Sequence, residues 1–283
     1  IMPIILVWAL WMILRKRFSR ALMFLLAAAL PILPITIENY RMTGQFIPVT
    51  AIGGYNFFVG NNAQADGKTV WASEKALREL VVPENAPPLE NQSRYIKASL
   101  DDIAKDPARF GRLILKKAYF LLNAYEISSN SDMYYVISDT SPLLAALALF
   151  SFGILLPLAI VGIAFGKYNR RAAAPVFLFV VPFTLLLLAF FINARFRSPL
   201  IPILCVFAAA GAVSLWSERK NLLKGGRAML LTFVFFLVFC NTQFFGVADP
   251  RDNLDINLQQ AFAFHGQQKI KSCEKMLAYV LTV

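Results

Sequence analysis

Six predominantly apolar stretches of this 283-residue chain contain no Asp, Glu, Lys or Arg: residues 1–14, 21–37, 140–166, 172–194, 198–217 and 228–248. A helix rises about 1.5 Å per residue and bilayer hydrocarbon is about 30 Å thick, so roughly 20 apolar residues are needed to cross it. The last four stretches are long enough. The second, with Pro31 and Pro34, is marginal. The first is short, and because it opens at Ile1 on an apolar run without a basic leader, the chain reads as a piece whose N-terminal part lies upstream.

Composition agrees with lipid as the solvent. The chain is 58% hydrophobic, contains 25 Phe and is only 16% charged, whereas soluble domains carry about 25% charged residues. The expected fold is an all-α polytopic membrane protein of about six transmembrane helices. Its sections are two transmembrane segments in 1–37, a mixed loop of roughly 105 residues over 38–139, four transmembrane helices in 140–248 and a short helical tail over 249–283.

The formal charge of +11 is a matter of topology. Arg15, Lys16, Arg17 and Arg20, then Lys167, Arg170 and Arg171, then Arg219, Lys220, Lys224 and Arg227 fall in connections on one side, with Glu218 the only acid among them. The short connection on the other side holds Arg195 and Arg197, and the long loop is near charge balance. Basic residues mark the cytoplasmic side. The chain is therefore expected to be multi-pass, with the long loop and the C-terminus extracytoplasmic. Membrane lipid is the implied partner, and nucleic acid is not.

Within the loop, QFIPVTAIGGYNFFVGNN (45–62) is rich in β-branched and aromatic residues punctuated by glycine, which predicts an extended segment with tight turns. Helices are predicted near 73–82, 92–105 and 107–125. In the last, Phe110, Leu113, Ala118 and Leu121 keep helical spacing while Arg109, Arg112 and Lys116 take another face. That helix suits the membrane surface or the loop's own core equally. In the tail, Leu258, Phe262 and Gly266 sit at offsets resembling the first helix and turn of a tetratricopeptide repeat, a possible hold for a protein partner.

Few residues carry chemistry. Cys205, Cys240 and Cys273 show no CxxC spacing, and His265 is the only histidine, so no metal site is expected and no cofactor is indicated. The uncharged spans offer no proton relay, which disfavours a transporter. At ENYR, Glu38 and Arg41 are one helical turn apart and positioned to pair, although a surface carboxylate can also serve as a base. At ARFRSPLIP (194–202), Arg195 and Arg197 fall between two apolar runs at headgroup depth. They suit the phosphate of a lipid-linked donor or, equally, plain interfacial snorkelling.

Taken together, NYRMTGQFIPVTAIGGYNFFVGNN after a span and ARFRSPLIPIL at the head of a late span resemble bacterial membrane glycosyltransferases of family 39, the protein-mannosyltransferase-like members of the GT-C fold class. The likeness covers about residues 21–245, with Ser198 where Leu is usual. It implies sugar transfer from a polyprenyl-phosphate-linked donor to an acceptor at the outer membrane face, the chain being the C-terminal portion of such an enzyme. The family's catalytic acid lies in a first outer loop upstream, so no catalytic residue is assigned here. The resemblance carries over Arg195 and Arg197 as donor-phosphate ligands. It makes Gly53, Gly54, Asn56, Asn61 and Asn62, with Glu38 and Arg41 nearby, candidates for shaping the outer cavity. A non-catalytic scaffold for envelope assembly is the alternative from another class.

Overall fold

The computed structural model describes residues 2–69, 71–80, 86–129, 134, 151–219, 226–248 and 254–282. Among them every regular element is helical: α1 (Met2–Leu14), α2 (Phe18–Ala29), α3 (Leu33–Thr43), α4 (Gly53–Asn61), α5 (Glu74–Glu79), α6 (Pro88–Lys105), α7 (Pro107–Leu122), α8 (Phe152–Phe165), α9 (Arg170–Ala189), α10 (Ala194–Arg197), α11 (Ile201–Ser217), α12 (Arg227–Asn241), α13 (Leu254–Gly266) and α14 (Ile270–Thr282). A 3₁₀ turn, Ser198–Leu200, joins α10 to α11.

Two helices are long and apolar enough to cross a membrane, α9 with 20 residues and the continuous Ala194–Ser217 with 24. A third candidate is the pair α2 and α3, bent by 52° where Pro31 and Pro34 interrupt the backbone hydrogen bonding. The remaining apolar helices, α1, α8 and α12, have 13, 14 and 15 residues, short of the roughly 20 needed. Of the third expected span, residues 140–150 lie outside the described set, as do Lys220 and Lys224, the end of the predicted 73–82 helix and the start of the tail. Leu185 and Val181 on α9, and Val206 and Val213 on α11, are more than half exposed. Such faces are costly in water and unremarkable in lipid.

The chain divides into two compact units that cut across the expected sections: Ile1–Leu115 with Asn169–Phe191, and Lys116–Tyr168 with Ile192–Val283. In the first unit, α1 packs on α2 and α9, and α4 packs on α6. The 45–62 segment departs from the extended reading, since Gly53–Asn61 is a helix. The glycines explain this. A methyl at Gly54 would collide with the Gln92 backbone, and one at Gly60 with the Phe190 carbonyl. Bare backbone at both positions lets the helix lie close to α6 and to residues 189–190, and tertiary packing overrides a β propensity worth about 1 kcal/mol across its whole scale.

In the second unit α8 packs on α11 and α12. Gly162 of α8 faces the Phe207 carbonyl, and Gly211 of α11 faces the Leu158 carbonyl, so neither position has room for a Cβ. Such reciprocal small-residue contacts let two helices approach where lipid supplies no hydrophobic drive. The tail is a helical hairpin of α13 and α14, its small core made by Ala261, Cys273 and Met276 with Phe264 against them.

Candidate functional site

The two arginines of ARFRSPLIP have different environments. Asn193 opens the helix, its Oδ1 accepting from Phe196 N at 2.9 Å, an N-cap of the favoured type. The helix thus starts ahead of both arginines, which lie within its first turn and not in a turn between spans. Two residues apart on a helix, they point to opposite sides. Arg195 is exposed, whereas Arg197 is 2% exposed.

Arg197 is consumed by the protein itself. Its Nη1 donates to Asn123 O at 2.5 Å and its Nη2 to Tyr125 O at 3.1 Å. Nη2 also pairs with Glu126 Oε1 at 2.9 Å, and Cζ sits 4.0 Å from the centroid of Phe152. A buried guanidinium requires a counter-charge and carbonyl acceptors, and residues 123–126 supply both. The pair therefore does not form a two-pronged phosphate clamp in this arrangement. Arg195 alone presents its guanidinium outward, and Arg197 fixes the helix that carries it.

Around Arg197 the network is dense. Asn123 Nδ2 donates to Tyr119 Oη and to Thr242 O, each at 2.7 Å, and its Oδ1 accepts from Tyr125 N at 2.8 Å. Tyr119 Oη also donates to Thr242 O, and its ring meets Phe239, Phe244 and Phe245 edge-on or tilted. Ala194 N donates to Ile127 O at 3.0 Å, and Ala124 N to Cys240 O at 2.7 Å. Beside this network opens a cavity of about 450 Å³ whose walls include Tyr125, Glu126, Leu155, Ile201 and Asn241.

The residues expected to line an outer cavity in the first unit are mostly structural. Asn61 is fully buried, and its Nδ2 donates to Phe57 O and Ala189 O, both at 2.8 Å. Asn62 Nδ2 donates back to Phe58 O at 2.8 Å. Arg109 donates to Asn62 O at 3.0 Å and to Asn61 O at 3.3 Å, so a cation meets the carbonyl end of α4, where the helix dipole favours it. Gly54 N donates to Gln92 Oε1 at 2.5 Å. Asn56 is half-buried and Gly53 has open space where a Cβ would stand. Glu38 and Arg41 do pair, at 3.8 Å with both side chains largely exposed. The stronger tie in ENYR is Asn39, whose Nδ2 donates to Ile47 O at 2.9 Å and Val49 O at 3.0 Å.

Sequence reasoning thus missed Asn39, Arg109, Asn123 and Glu126. Only Arg109 had a signal, a cation near the start of an amphipathic helix. Among the described residues no cluster of His, Cys, Asp or Glu could hold a metal ion. Comparison of the chain with family models, with curated proteins and with solved structures finds no match.

Proposed function

We propose that this chain is the donor-binding part of a membrane glycosyltransferase that takes a sugar from a polyprenyl-phosphate carrier at the outer face of a bacterial inner membrane. The observation that carries the reading is Arg195, an exposed guanidinium at the head of a 24-residue apolar helix, held in place by the buried Arg197 two residues on. A fixed guanidinium beside an apolar helix suits a phosphate carried on a long isoprenoid, because one end of such a ligand needs charge and the other needs lipid. The family resemblance of the NYRMTGQFIPVTAIGGYNFFVGNN and ARFRSPLIPIL segments points to the same donor. Six spans, with residues 38–139 and the tail outside, follow from the basic residues of the short connections.

The test is binding of polyprenyl phosphate to the chain in lipid nanodiscs. Arg195→Ala is expected to weaken it by roughly 10-fold, and Arg195→Lys by less, since a charged hydrogen bond contributes about 1.5 to 3 kcal/mol and lysine keeps charge without the fork. Affinity unchanged in a folded Arg195→Ala protein would leave this residue an interfacial anchor. Sidedness is read by maleimide labelling of Ser93→Cys and Asn169→Cys, both exposed positions, after the exposed Cys205 is replaced. Labelling of both from one side would overturn the topology. A scaffold role is favoured by one feature, the exposed Phe262 and Leu281 of the tail hairpin, 72% and 87% accessible.

A further inference from the structure

We propose that the 450 Å³ cavity of the second unit binds a neutral sugar ring. Small-ligand cavities run from about 300 to 1,000 Å³, so this one admits a short saccharide and not a long chain.

Its wall has two kinds of surface. Tyr125 and Tyr134 stack with their centroids 4.9 Å apart and their planes within 21°, and Glu126 N donates to Tyr134 Oη at 3.0 Å. An aromatic face carries partial negative charge and attracts the polarised C–H face of a pyranose. Facing the same space are Glu126, Ser151, Asn241 and Gln243. Glu126 uses Oε1 on Arg197, and Asn241 uses Nδ2 on Gly153 O and Leu237 O. Among the described residues this leaves Glu126 Oε2, Asn241 Oδ1, the Ser151 hydroxyl and the Gln243 amide to meet ligand hydroxyls. All four of these groups accept, and the Ser151 hydroxyl and Gln243 amide also donate, which matches a ligand whose every polar group is a hydroxyl.

Charge decides against an anion. The carboxylate of Glu126 is answered by the buried Arg197, and the described wall itself holds no cation, so a phosphate or uronate would enter without a counter-charge. The same Arg197 bonds lock residues 123–126 and so set the positions of Tyr125 and Glu126 before any ligand arrives, which lowers the ordering cost of binding.

The cavity stands on its own geometry, and the proposal rests on the transfer reading only for which molecule brings the sugar. The experiment titrates the chain in phosphatidylcholine nanodiscs with methyl glucoside and methyl mannoside, with glucuronate as charged comparator and with polyprenyl phosphate lacking a sugar as a separate arm. Saturable binding of a neutral glycoside is expected at roughly millimolar Kd, with glucuronate weaker. Tyr125→Ala should weaken it about fivefold and Tyr125→Phe leave it within about twofold, because the ring and not the hydroxyl makes the contact. Gln243 is exposed, so Gln243→Ala should lower affinity without touching the fold. No saturable glycoside binding by the folded chain overturns the cavity, as does binding insensitive to both alanine variants or a preference for glucuronate. If glycoside binding is absent while polyprenyl phosphate still binds, the sugar cavity falls and the donor-phosphate reading stands. Glycoside binding without phosphate binding supports the cavity and removes the donor reading instead.

Discussion

Each compact unit is tied by an arginine that reads backbone carbonyls, yet the two ties are built differently. In the first unit Arg109 is half-exposed and meets the carbonyls of Asn61 and Asn62 at the end of α4, without an ion-pair partner among the described residues. In the second unit Arg197 is buried and meets the carbonyls of Asn123 and Tyr125 together with the Glu126 carboxylate. Water and a helix end suffice for a cation at the surface, whereas one taken out of water requires a full opposite charge. Depth of burial, more than the number of hydrogen bonds, dictates what must surround a guanidinium.

The most direct way to break this contrast is Arg197→Met. Removing Arg197 leaves the Asn123 and Tyr125 carbonyls without their donor and Glu126, whose side chain is 35% exposed, without its cation, and a loss of about 3 kcal/mol is expected, measured by thermal unfolding in detergent. Adding Glu126→Gln should recover part of that loss, because the stranded charge goes with it. If the double variant is worse than Arg197→Met alone, Glu126 has a role apart from the pair.

Asn61→Ala comes next. It leaves two carbonyls without their buried donor, at about 1 to 3 kcal/mol, and a change near zero would show that water reaches the α4 end as freely as it reaches Arg109. For Arg109→Ala the expected loss is about 1 kcal/mol, with Arg109→Lys restoring some of it through the helix dipole. A loss as large as that of Arg197→Met would erase the distinction between the two ties. Smallest is Glu38→Ala: its partner Arg41 is 3.8 Å away and both are exposed, so the shift should stay below about 0.5 kcal/mol. A larger shift would assign Glu38 a task beyond pairing.

What could be read from the sequence follows from how local each cause is. The uncharged runs at 172–194 and 198–217 are properties of consecutive residues, and they became α9 and the continuous Ala194–Ser217 helix. The loop helices were legible for the same reason. Ser73 caps α5 by accepting from Ala76 N at 3.2 Å, and the 3.6-residue spacing of Leu113, Ala118 and Leu121 marked α7. The 53–61 helix was not legible, because its cause is Gln92 and Phe190, which lie far along the chain from Gly54 and Gly60. Nor was the fate of Arg197. Beside an apolar run an arginine looks the same whether it meets a phosphate or a carbonyl, and the deciding residues lie more than 70 positions upstream.

That separation orders the making of the protein. Chains are synthesised at about 5 to 20 residues per second, so the backbone at Asn123 waits roughly 4 to 15 s for the residue 74 positions later that will hold it. During that interval Glu126 has no cation and the carbonyls of 123 and 125 are open to a protease or a chaperone. Nascent chains arrested after residue 190 are expected to be cut within 123–127, and chains arrested after residue 248 to resist. Equal cleavage of the two would uncouple closure of this segment from the arrival of Arg197.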